Sequence, residues 1–406
     1  MTYKTQNKIT SYAVFLFTLA IVLLNLISVV FPAFIITTVN PYPSNLNSFE
    51  LGPLTAPLTI ANIILIGVGF AYCKKKLPQS IYKPIKYFLN FEISKKVTLV
   101  VAIIILAIYI GLSVPELFVN EEDQWPDYQI LKKGLEIWPS GESDDIYVRE
   151  QNDRYVRMVL LSASQEIFQN IKILPFVASI ALVITTYFLT AEISKKRFAG
   201  IVSMVVLLQS HTFLEFDTIA VYENFWVLFY VLSVYAIYKR WYFSSILYVI
   251  SIFTKAFVTP FLLMTIFSIY RTNISKKRKV LTLISYGLAV ALIASIFVAG
   301  ESIYGDLLRI DYSEFVIGFS AWYNQMRSDV FLILTILPLT VGLFLISKKG
   351  IFDADSILVL MAGILLLGPI LGLFTNFYFV LPYRYIPLMV FFAVGIGVFL
   401  TKRSTD

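Results

Sequence analysis

Acidic side chains crowd the segment 120–128, where Glu121, Glu122, Asp123 and Asp127 follow directly on a long apolar run. A carboxylate at a cavity mouth can take the proton of an acceptor hydroxyl as general base. Any of the four could do so. A second acidic group, Glu215, Asp217 and Glu223, lies with His211 between two further apolar runs. Lys255 has apolar neighbours on both sides, and Arg384 stands in Leu381-Pro382-Tyr383-Arg384-Tyr385 where the last apolar run begins. A cation inside a membrane meets a carboxylate or an anionic ligand. Lys255 therefore reads as a phosphate contact or as the ion-pair partner of Glu223 or Asp217. Arginine's planar fork suits phosphate. The other reading of Arg384 is interfacial snorkelling beside the tyrosines. Glu215 and Asp217 carry hard oxygen ligands that suit Mg²⁺ or Mn²⁺. Two carboxylates two apart do not make a metal motif, so no metal ligand is assigned and any cofactor stays unknown. His211 reads as an enclosed interior histidine.

The elements that must hold these groups are membrane helices. The 406 residues are 58% hydrophobic and only 15% charged, against about a quarter charged in soluble domains. Mean hydropathy is +0.77. Apolar runs of about 20 residues without polar alternation predict spanning helices and exclude a membrane β-barrel. Twelve spans are expected, at 12–36, 55–73, 97–114, 171–190, 198–212, 222–238, 242–254, 256–270, 280–299, 330–347, 355–373 and 386–401. The first is read as a retained helix rather than a cleaved signal. A lone cysteine, Cys73, excludes an internal disulfide and a cysteine metal cluster.

The net charge of +7 is not a nucleic-acid signature, because Lys and Arg gather in short runs at the ends of apolar segments. With the N-terminus inside, one face carries 23 basic and 5 acidic residues and the other 10 basic and 21 acidic. That segregation predicts a multi-pass plasma-membrane protein with both termini cytoplasmic. Three regions follow: 1–96, two helices and a basic, aromatic interfacial stretch at 77–96; 97–299, a core with a long, partly helical outer loop at 115–170; and 300–406, an outer loop and the last helices. Aromatic and acidic residues of the outer loop 300–329 (Tyr304, Asp306, Arg309, Asp311, Trp322, Tyr323) suit a sugar site. Residues 198–238 and 241–270 each have to cross twice within little length. A 15-residue helix is about 22 Å long against a core of about 30 Å. Their turns, at 209–224 and around Lys255, should lie below the outer surface and face a cavity open to it.

Taken in order and sidedness, these pieces resemble the GT-C class of integral-membrane glycosyltransferases over about 97–401. The carriers of the likeness are Glu121-Glu122-Asp123 after a helix and the acidic turn with Glu215, Asp217 and Glu223. The aromatic helix from Phe225 to Arg240, the run Thr254-Lys255 to Pro260, and Arg384-Tyr385 before Pro387 complete it. The signature departs from the class in reading Glu-Glu-Asp and in two preceding helices. The resemblance implies transfer of a single sugar from a polyprenyl-phosphate carrier to a glycan, lipid or protein acceptor at the outer face. It implies Asp123 or Glu122 as base, Lys255 and Arg384 on the leaving phosphate, and Glu215, Asp217, Glu223 and Tyr385 around the substrate. A transporter or flippase of lipid-linked sugars, or an O-antigen-type polymerase or ligase, are the competing readings. The first would show two similar halves, and none is present.

Overall fold

A computed structural model describes residues 3–35, 47–122, 124–140, 143–152, 154–299, 310–374 and 381–401. The described residues form helices and connecting turns, with no strand among them. In chain order the α-helices are α1 (Tyr3–Val30), α2 (Thr55–Cys73), α3 (Gln79–Asn90), α4 (Lys95–Ser113), α5 (Asp127–Ile137), α6 (Ile146–Asn152) and α7 (Tyr155–Phe168). Then follow α8 (Ile173–Ser194), α9 (Arg197–Leu208), α10 (His211–Glu215), α11 (Phe225–Lys239), α12 (Trp241–Thr254) and α13 (Phe261–Arg271). The series ends with α14 (Lys276–Ala299), α15 (Tyr312–Met326), α16 (Val330–Lys348), α17 (Asp353–Phe374) and α18 (Ile386–Phe399).

Among the described residues eight helices are long and apolar enough to cross a membrane: α1, α2, α4, α8, α14, α16, α17 and the segment ending in α18. The other four expected spans are helices too, but short: α9, α11, α12 and α13 run 10 to 17 residues. Local chemistry sets their ends. Ser94 accepts a hydrogen bond from Val97 N–H at 3.3 Å and caps α4. Ser210 caps α10 through Phe213 N–H at 3.0 Å. Pro260, which cannot continue a helix, opens α13.

The core gathers around α18, whose side chains are nearly all buried against α8, α9, α16 and α17. Close approach there needs glycine. A Cβ on Gly397 would sit 2.2 Å from a methyl of Thr190 in α8 and 2.8 Å from the Ala199 carbonyl in α9. Helices α11 and α12 pack together, α11 on α8 and α12 on α14, and α1 packs on α16 and α17. By contrast α2 touches little beyond α16.

At the end of the bundle rich in lysine and arginine, a buried ion pair joins Arg271 of α13 to Asp355 of α17. Ser11 of α1 donates to the same carboxylate at 2.8 Å and also bonds to Ser347 of α16 at 2.8 Å. This four-helix tie is not visible in the sequence. Within the stretch 77–96, residues Gln79–Asn90 form the amphipathic helix α3, whose Leu89 is buried with Ala199 and Leu400. The expected outer loop is ordered as α5, α6 and α7. The aromatic part of the loop expected at 300–329 is α15 instead, and Trp322 and Tyr323 belong to the core. Asp311 caps that helix through Ser313 N–H at 3.0 Å. Tyr304, Asp306 and Arg309 lie outside the described residues.

Candidate functional site

The turn between α9 and α11 is held from both sides. Glu121, 2% exposed, accepts the N–H groups of Ala220 at 2.7 Å and Val221 at 3.2 Å. Arg157 of α7 donates to the Val221 carbonyl at 2.7 Å, and its Nε lies 3.1 Å from Glu223 Oε2. One loop carboxylate and one loop guanidinium thus satisfy the donors and acceptors of the same two peptides. Lys172, at the start of α8, ties the loop down by donating to the carbonyls of Glu116 at 2.5 Å and Val119 at 3.1 Å. Its ammonium is 3.9 Å from Glu121. Burial raises the Glu121 carboxyl above its ordinary value, against the opposing pull of the two N–H donors and Lys172. Burial lowers Lys172.

This turn carries Tyr222 and Glu223 to a second turn, Lys255–Pro260. Helix α12 ends at Thr254 and Lys255 is extended (φ −158°, ψ 114°). Tyr248 fixes the loop by donating to the Thr259 carbonyl at 2.9 Å. A third turn, Pro382–Tyr385, supplies Tyr383 and Arg384 at the start of α18. The three turns meet. Tyr383 stacks on Tyr222 with ring centroids 4.6 Å apart and planes at 15°. The Lys255 ammonium lies 4.0 Å from the centroid of Tyr383 and 5.7 Å from that of Trp226. Arg384 Nε donates to the Tyr383 hydroxyl at 3.3 Å.

Charge is unbalanced here. Lys255 lies within electrostatic range of Arg154, Arg384 and Glu223, and Arg157 lies within range of Arg154 and Glu223. Among the described residues, no carboxylate comes within 4.0 Å of Lys255. The ion-pair reading of Lys255 is therefore corrected: Glu223 is engaged by Arg157. Asp217 accepts from Ser113 Oγ at 2.7 Å, on the α4 side of the turn. Among the described residues four cations, Lys255, Arg154, Arg157 and Arg384, gather beside two buried carboxylates, Glu223 and Glu121, an arrangement that suits a ligand bearing negative charge.

The remaining expected residues fall out differently. Asp123 lies outside the described residues. Glu122 is exposed and accepts from Gln129. Asp127 is the loop carboxylate joined to the cluster, accepting the Tyr222 hydroxyl at 2.8 Å, while Trp125 packs edge-on against Tyr222 at 5.1 Å. Glu215 lies 3.6 Å from His211, while Asp217 is held by Ser113. Among the described residues no group of three acidic, His or Cys side chains converges on a metal position. His211 is not enclosed: its side chain is 61% exposed, because α9 stops at Leu208 and the new helix turns it outward. Tyr385, expected at the substrate, is fully buried, and Tyr383 takes the place beside Lys255. A cavity of about 630 Å³ lies between α1, α2 and α16, and one of about 590 Å³ lies at α3.

Sequence reasoning missed Tyr383, Tyr222, Arg154, Arg157 and Lys172. A usable signal was present for Arg157: it stands in a helix whose following residues, Met158 to Leu161, are apolar. Compared with known proteins, the chain matches no family model, no curated protein and no solved structure.

Proposed function

We propose that the chain is a multi-pass membrane glycosyltransferase of the GT-C kind, moving one sugar from a polyprenyl-phosphate carrier to an acceptor hydroxyl. The observation that carries this reading is the meeting of Lys255, Arg384 and Arg157 at Tyr383, with Arg154 nearby and Glu223 and Glu121 as the buried carboxylates beside them. In this reading α9, α11, α12 and α13 also enter the bilayer, so the acidic end faces outward and both described termini lie on the cytoplasmic side.

The acceptor oxygen attacks the anomeric carbon, and the bond from that carbon to the phosphate oxygen breaks. The leaving phosphate keeps the electron pair, and Lys255 and Arg384 stabilise its charge. A carboxylate of the loop after α4 takes the acceptor proton. Asp123 and Glu122 are candidates by position, and Asp127 is favoured by its bond to Tyr222. The carrier's chain lies between helices, which accounts for a transferase built almost wholly of apolar segments.

Native mass spectrometry of the detergent-purified chain tests this directly. A co-purifying polyprenyl phosphate, lost in Lys255→Ala and Arg384→Ala but kept in His211→Ala, supports the reading. A carrier kept in all three removes this cluster from the phosphate site. Absence of any carrier under every extraction condition favours transport of a different substrate.

A further inference from the structure

We propose that α3, at the lysine-rich end of the bundle, is a binding surface for the headgroups of anionic phospholipids. Between 74 and 96 the chain carries Lys74, Lys75, Lys76, Lys83, Lys86, Lys95 and Lys96 against the single acid Glu92. Glu92 already accepts the backbone N–H of Arg197 at 3.1 Å. Lys83, Lys86, Tyr87 and Asn90 follow the i, i+3, i+4, i+7 spacing of one helix stripe, and together with Phe91 and Glu92 they line a cavity of about 590 Å³. Tyr87 in that stripe is 70% exposed, and Ile81 and Phe88, on the far side of the helix, are 47% and 51% exposed.

The helix is fixed in place rather than trailing. Leu89 is buried with Ala199 and Leu400. Lys196 donates to the Leu89 carbonyl at 2.7 Å, and Phe88 and Phe91 both pack edge-on against Phe198. It joins α2 to α4, two helices long and apolar enough to span, so it lies where their lysine-bearing ends reach a bilayer surface. Amphipathic geometry with exposed aromatics and clustered lysines is the chemistry that selects negatively charged lipid. A phosphodiester headgroup accepts from both lysines, and the aromatic rings enter the acyl boundary.

The test uses the full chain in detergent, titrated with phosphatidylglycerol or phosphatidylcholine and read by native mass spectrometry. Phosphatidylglycerol is expected to bind in preference. The double variant Lys83→Gln/Lys86→Gln should weaken it about 30-fold, from about 1 kcal/mol per lysine at 1.4 kcal/mol per decade. The control Lys348→Gln/Lys349→Gln removes equal charge at the end of α16 and should leave the preference intact. Equal binding of the two lipids, or equal loss in both double variants, overturns the proposal. Displacement of the lipid by millimolar inorganic phosphate would also overturn it, in favour of a site for a soluble anion.

Discussion

Replacing Lys255 by methionine should make the protein more stable and a poorer ligand binder at once. The side chain is 9% exposed, and no described carboxylate lies within 4.0 Å of it. Burying an ammonium costs several kcal/mol even after relaxation. The offsetting contact in the structure is with the Tyr383 ring at 4.0 Å, worth about 2 kcal/mol at most for a desolvated cation. Attraction to Glu223, beyond ion-pair distance, is opposed by repulsion from Arg154 and Arg384. Methionine keeps the length, fills the space and removes the charge, so the net gain should be about 1–2 kcal/mol. In thermal unfolding of a 406-residue chain this is a rise of about 1–2 °C. In the proposed function the same change would remove a charge-assisted contact to phosphate, worth about 1.5–3 kcal/mol, or roughly 10- to 100-fold in affinity. Unfolding in detergent, with and without a short-chain polyprenyl phosphate, separates the two effects. The reasoning is refuted if Lys255→Met melts lower than the parent and binds the phosphate equally well, for then the lysine is a structural tie.

Arg157→Met leaves Glu223 and the Val221 carbonyl buried without their donor. A loss of about 3–5 kcal/mol is expected, read as a drop in melting temperature. Arg271→Met strands Asp355 at the opposite end and should cost a similar 3–5 kcal/mol while leaving phosphate affinity unchanged. Gly397→Ala drives a methyl into Thr190 and the Ala199 carbonyl, and about 1–3 kcal/mol of stability should be lost. The pH dependence follows from Glu121. Its folded-state value is raised by burial, so the folded chain holds its proton more tightly than the unfolded chain. Its contribution is complete below the ordinary value of 4.5 and is lost as pH rises through the raised one. Melting curves across that range should slope downward, and Glu121→Gln should flatten them.

Much of the helix layout was legible because an apolar run bounded by lysines has few ways to fold. Even the short helices α9, α11, α12 and α13 announce themselves, since the charge clusters at 195–197, 239–240 and 276–279 leave little length between them. Lys255 stood out for the same reason: its neighbours are apolar on both sides. What stayed hidden depends on helix phase and on loop packing. Tyr383 and Tyr385 are two residues apart, and only the tight turn Pro382–Tyr385 decides which one faces Lys255. Glu121 and Glu122 are adjacent, yet one is buried against the backbone of 220–221 and the other is exposed. Arg154, Arg157 and Lys172 resemble solvated loop charges until the α9–α11 turn is laid against them. His211 was misjudged because an early end to α9 turns its side chain outward.

The central claim is that the cluster around Tyr383 recognises a phosphate on a long isoprenoid chain. Its most direct test is the Kd of a short polyprenyl monophosphate beside that of the matching polyprenol, measured on the purified chain. The phosphate should tighten binding at least about 10-fold, and Arg384→Ala and Lys255→Met should erase most of the difference. Equal affinity for phosphate and alcohol, or a phosphate preference untouched by both substitutions, would contradict it.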